Sequence, residues 1–161
     1  ALNAPLMDSP SSPVGLVNPS WMSRVRATQE ACGDDLPIPE GIWPWVEILT
    51  SHAGARSEAI EFLVNAGVQG LVLAGTGLGG FHQALEGILK LAQDKGVALI
   101  KTSRTGAGVI GEESALGLTA GSLSAPRARI ALQLALNAAK GDKSLTWQDF
   151  FARIAVLPEI R

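Results

Sequence analysis

Cysteine and histidine are scarce in this chain, and no sign of charge is in surplus. The single cysteine, Cys32, rules out an internal disulfide and a metal cage built on thiolates. The two histidines, His52 and His82, stand apart from any cluster of carboxylates or thiolates. That is a poor metal site, and no metal is expected. Thirteen Lys and Arg against fifteen Asp and Glu leave a net charge of −2. A balance of that kind offers no basic field for nucleic acid and no cationic cluster for an anionic membrane. Apolar runs are strand-sized, far short of the roughly 20 residues that span a bilayer. No basic region followed by an apolar core opens the chain, so no signal peptide is visible and a cytoplasmic location is expected.

What remains is a globular composition. The chain has 161 residues, 47% hydrophobic and 17% charged, enough for one domain with a core of its own. Its two parts differ in character. Six of the nine prolines, Pro5, Pro10, Pro13, Pro19, Pro37 and Pro39, lie before residue 40 and forbid a sustained element there. Residues 1–44 therefore read as an extended connection with one short helix from Trp21 to Glu30. So long a loop fits poorly inside a compact domain but suits a segment draped along a neighbour. Trp21, Trp43 and Trp45 lie in or beside it and are candidates to anchor it. The chain also opens on Ala1, and Asn3-Ala-Pro-Leu-Met-Asp-Ser-Pro10 has the composition of a linker. The expectation is a piece of a longer protein.

From Trp45 onward the pattern is regular, and residues 45–161 read as one α/β domain. Val46 to Thr50 is a short branched run, a strand by length. Ser57 is a candidate cap for the helix that follows, with Ile60, Leu63 and Val64 on its buried face and Gly67 at its end. Leu71 to Ala74 is apolar throughout, as in a strand covered on both faces. A second helix runs from Phe81 to Lys95, with Ala84, Leu85, Ile88, Leu91 and Ala92 as its stripe and Gly96 as its cap. Val97 to Ile100 is a third strand, and Leu118 to Ala120 a short fourth. Ser124 and Pro126 start a helix to about Lys140 that is apolar nearly all round, through Ile130, Leu132, Leu134 and Leu136. Thr146 with Asp149 starts a last helix through Phe150, Phe151 and Ile154. Strands separated by helical crossovers pair in parallel. The expected fold is a three-layer αβα domain with a small, Rossmann-like parallel sheet of about four strands.

The segment with most chemical content is Gly70-Leu-Val-Leu-Ala-Gly75-Thr-Gly-Leu-Gly-Gly80-Phe-His. It is a strand running into a glycine turn at the carboxyl edge of a parallel sheet, where ligands bind. Gly75, Gly77 and Gly80 fit the dinucleotide pattern G-x-G-x-x-G, whose backbone N–H groups would meet a pyrophosphate. Against that reading, the turn follows the second strand and not the first. The next strand ends in Lys101-Thr-Ser-Arg104, without the acidic residue that holds a ribose. Arg104 keeps an NADP site as one alternative, and a purely structural turn is another. The third is a wall of some other small-molecule site. Beyond the turn, Glu112 and Glu113 are carboxylates in the polar loop after the third strand, either a solvated pair or part of that site.

Three motifs occur in one order: Gly70 to Gly77, then Gly96-Val-Ala-Leu-Ile-Lys-Thr-Ser-Arg-Thr-Gly106, then Ala120-Gly-Ser-Leu-Ser-Ala-Pro-Arg-Ala-Arg-Ile-Ala-Leu-Gln-Leu-Ala-Leu136. Together they resemble the C-terminal domain of bacterial-type L-asparaginases, most strongly over residues 66–136. The opening Asn3 to Pro10 resembles that family's connection between domains. The resemblance implies two α/β domains per subunit and hydrolysis of L-asparagine to L-aspartate and ammonia. It places the threonines, lysine and aspartate of the chemistry on an N-terminal domain. No T-G-G-T-I or H-G-T-D-T segment is present here, so no catalytic residue is assigned to this chain. The implied partners are that missing N-terminal catalytic domain, a small amino-acid substrate and further subunits in a dimer or tetramer. The C-terminal domain would complete a neighbouring subunit's active site, with no cofactor. The implied substrate-contacting set is Thr76, Gly77, Gly79 and Gly80 of the turn, with Glu112 and Glu113. The family's asparagine falls at or near Leu78 or Gly80, neither of which carries an amide. A different class of function, a stand-alone ligand-binding or regulatory module without catalysis, remains open at this point.

Overall fold

The computed structural model of the chain describes residues 39–77, 79–105, 116–121 and 123–155. The elements in order are β1 (Val46–Thr50), α1 (Glu58–Asn65), β2 (Gly70–Gly75), α2 (Glu86–Asp94), β3 (Ala98–Ser103), β4 (Leu118–Thr119), α3 (Ala125–Gly141) and α4 (Trp147–Ala155). A 3₁₀ turn, Gln83–Leu85, leads into α2. The four strands form one sheet in the order β1-β2-β3-β4, every pair parallel. This is the expected α/β architecture.

Strand alternation sorts the core into two layers. Val46, Val72, Ala98 and Ile100 face Ala128, Leu132 and Ala135 of α3, with Phe150 and Phe151 of α4 behind them. Leu71, Leu73 and Leu99 face the other way, against Ile60 of α1 and Leu85, Leu89 and Ala92 around α2. β2 is buried at all six positions because helices cover both of its faces.

Several local expectations change. α2 begins at Glu86, not at Phe81, because the chain first closes the glycine turn and then spends three residues in a 3₁₀ turn. His82 caps that turn, its Nδ1 accepting from the Ala84 N–H at 3.3 Å. Ser57 makes no cap bond; its hydroxyl donates to the Glu61 carboxylate at 3.0 Å. Ser124 likewise makes no side-chain cap. Leu91 and Ile130 are substantially exposed, and Ala84 is exposed as well. The buried face of α3 is largely alanine: Ala128, Ala131, Ala135 and Ala138 with Leu132. Small residues let the helix lie close on the sheet, and Gly70 beneath it leaves the space: a Cβ there would stand 2.8 Å from Leu132 Cδ2.

The carboxyl edge and its glycine turn

The carboxyl ends of β1, β2 and β3 are tied together by two serines. After β1, Ser51 is buried, and its hydroxyl accepts from the His82 N–H at 3.1 Å while its own N–H donates to the Ala74 carbonyl at 2.9 Å. At the end of β3, the Ser103 hydroxyl donates to the Gly77 carbonyl at 2.6 Å and lies 2.8 Å from the Thr105 hydroxyl. The Arg104 N–H donates to the Gly75 carbonyl at 2.9 Å. The turn after β2 is thus held from both sides by its neighbours.

The turn also closes on itself. Thr76 and Gly80 form an antiparallel bridge, with the Thr76 N–H donating to the Gly80 carbonyl at 3.0 Å. The Gly79 and Gly80 N–H groups both donate to the Thr76 carbonyl, at 3.0 and 2.9 Å. Gly77 and Gly79 take φ of 52° and 84°, the left-handed region open to glycine. Gly75 must also be glycine, since a Cβ would stand 2.6 Å from the Gly79 carbonyl oxygen and 2.7 Å from that of Gly80.

This geometry bears on what the turn can bind. A pyrophosphate cradle needs N–H groups aimed outward at a helix N-terminus. Here the N–H groups of Thr76, Gly79 and Gly80 are spent inside the turn, and α2 starts six residues beyond Gly80. The strand order never reverses, so the described sheet lacks the crevice at which doubly wound folds take a dinucleotide. The turn is instead closed on itself by its own hydrogen bonds. Thr76, Gly77 and Gly80 are exposed on it, while Gly79 is buried beneath. Among the described residues the Thr76 hydroxyl has only the Gly80 carbonyl as partner, at 3.5 Å. Glu112 and Glu113 lie outside the described residues.

Lys101 points to the same side of the sheet. Its ammonium lies 5.4 Å from the centroid of the Phe81 ring, directly after the turn, and burial holds it below the usual lysine range. A cleft of about 430 Å³ opens between β1 and α1, lined by Leu49, Ile60 and Leu85 as its apolar part and by His52 and Arg56 as polar groups. His52 is exposed, with its Nδ1 3.0 Å from the Ala53 carbonyl. No group of three metal-ligating side chains occurs among the described residues. Ser51, which fixes the turn from the β1 side, carries no signal in the sequence: it is a lone serine after a strand.

Comparison with known proteins decides the family. Residues 45–151 match the Glutaminase/Asparaginase C-terminal domain. The chain belongs to that family. Its relatives include a protein of Haemophilus influenzae named "Probable L-asparaginase periplasmic", 36% identical over 115 residues, which is 67% of this chain and 32% of that protein. L-asparaginase 2 of Escherichia coli is 30% identical over 108 residues, covering 63% of this chain and 31% of its own length. A crystal structure described as "Probable Cytoplasmic L-asparaginase" from Campylobacter jejuni superposes with a TM-score of 0.61 at 32% identity, over 70% of this chain and 35% of that one. The chain therefore spans about a third of the length of these three relatives. The asparaginase C-terminal domain accounts for the three motifs and the parallel sheet. No helix among the described residues is long and apolar enough to cross a membrane.

Proposed function

We propose that this chain is the C-terminal part of an L-asparaginase-type amidohydrolase and forms one wall of a composite active site. The family match over residues 45–151, at about a third of its relatives' length, carries this reading. The described edge supports it: Thr76, Gly77 and Gly80 are exposed on a self-closed turn, with no nucleophile and base paired among the described residues. Nucleophile and base would come from an N-terminal catalytic domain, joined to this one through residues 1–44. Thr76, Gly77 and Gly80 would line the amino-acid end of the substrate, with Glu112 or Glu113 meeting its ammonium group. Gly79 would support them from below. The wall would complete the site of a neighbouring subunit in a cytoplasmic homo-oligomer.

Where relatives of this class place an asparagine side chain in the turn, this chain has Leu78 or Gly80. Grip on the ammonium end would then fall to carboxylates and backbone carbonyls. A chimera tests this. Residues 45–161 replace the matching segment of the E. coli relative, and ammonia release from L-asparagine is followed. Turnover that falls by about tenfold or more in Glu112→Gln or Glu113→Gln is expected, the size of one lost charge-assisted contact. Turnover indifferent to both substitutions would remove the carboxylates from the site.

A further inference from the structure

Among the described residues β1 ends the sheet, pairing with β2 alone. Its ladder is made by odd-numbered residues: Trp45 O accepts from the Gly70 N–H, and the Ser51 N–H donates to Ala74 O. Alternate residues of a strand turn their backbone groups to opposite sides. Pro44, Val46, Ile48 and Thr50 therefore turn theirs outward. Such a row is a template on which another chain can add a strand.

α3 covers part of that row. The Arg129 Nε–H donates to Val46 O at 2.8 Å, and the Gln133 Nε2–H donates to Pro44 O at 2.9 Å. The spacing is matched. Four residues of helix advance about 6 Å and two residues of strand about 6.6 Å, so adjacent turns of α3 reach successive outward carbonyls. Gln133 is only 5% exposed and Arg129 is half-buried, in a helix whose sheet-facing neighbours are alanine and leucine. Polar side chains are seldom kept there without a partner to satisfy. The one ion pair among the described residues joins Arg56 to Glu58, so a carboxylate does not explain the place of Arg129.

We infer that Arg129 and Gln133 are an edge guard: by occupying the outward carbonyls of Val46 and Pro44, they keep a second copy of this chain from adding a strand to β1. The guard holds whether or not the domain takes part in amide hydrolysis. It predicts association on removal, through a defined edge. In Arg129→Ala/Gln133→Leu, the weight-average mass in sedimentation equilibrium should rise with concentration to about twice that of the unsubstituted chain or more. Adding Thr50→Pro should reverse this. The Thr50 N–H faces outward, so proline leaves the β1–β2 ladder intact while spoiling the edge. Should the double variant lose its far-ultraviolet circular dichroism, Arg129→Ala alone, with and without Thr50→Pro, decides by the same criteria. A folded variant that keeps the mass of the unsubstituted chain would overturn the inference. So would association that Thr50→Pro leaves untouched.

Discussion

The Ser103 hydroxyl lies 2.6 Å from the Gly77 carbonyl, so the end of β3 fixes the turn that follows β2. The two residues are 26 apart in sequence and meet because β2 and β3 pair in register up to Gly75 and Ser103. Replacing Ser103 with alanine should cost about 1 kcal/mol, the net worth of such a bond. Its sharper signature is local. Exchange protection of the Gly79 and Gly80 amides should fall while that of Leu73 in mid-strand stays. Unchanged turn protection would show that the turn's own bonds suffice.

Two glycines contrast cleanly. Gly75→Ala presses a Cβ against backbone carbonyls at 2.6 and 2.7 Å, which cannot move without opening the turn. Gly70→Ala meets chiefly the tip of the Leu132 side chain, at 2.8 Å, which can shift its rotamer. Urea midpoints should show Gly75→Ala destabilised by about 2–3 kcal/mol, with Gly70→Ala losing about 1 kcal/mol. The reverse order would contradict the packing described.

α4 starts in a reciprocal cap. The Asp149 carboxylate accepts from the Thr146 N–H at 2.8 Å and its hydroxyl at 2.6 Å, and the Asp149 N–H donates to that hydroxyl at 3.3 Å. Hydrogen bonds from Thr146 hold the Asp149 carboxyl below its usual range. A lowered folded value contributes stability at pH above the unfolded value, lost as pH falls through the folded one. Thr146→Ala should cost about 1 kcal/mol near neutrality. It should also flatten the fall of Tm on acidification, as thermal melts across that range will show.

Lys101 should add a second rise of stability with pH, at the alkaline end. Burial lowers its folded value, so the folded state carries a penalty for the charge at neutral pH. As pH rises from that folded value to the ordinary lysine range, the unfolded chain holds more protons and stability rises. Denaturant midpoints at neutral and alkaline pH should show the native chain gaining on Lys101→Met. A constant difference would mean the ammonium is fully hydrated beside Phe81.

The order of strands and helices was legible because parallel strands leave strong marks. β2 is apolar at every buried position, and Gly67 and Gly96 stand where α1 and α2 end. The Thr146–Asp149 cap was legible from spacing alone. The buried face of α3 was not. A helix carrying apolar residues nearly all round gives no single stripe, and its alanines face the sheet while Ile130 does not. The late start of α2 was hidden too, because the bonds that delay it join Thr76 to Gly80 and His82 to Ser51, contacts that no local pattern reports. At the candidate site, the turn and its glycines were readable. Ser51, which helps to hold it, was not, since the partner of its hydroxyl is the His82 N–H, 31 residues away.

In the proposed function the bond-breaking groups lie outside this chain. Ammonia release from L-asparagine should be measured with this chain alone, then with a separately produced N-terminal domain of an asparaginase relative added. Release only in the mixture is the expected outcome. Turnover by this chain alone, abolished by a substitution at one of its own threonines, would contradict the account.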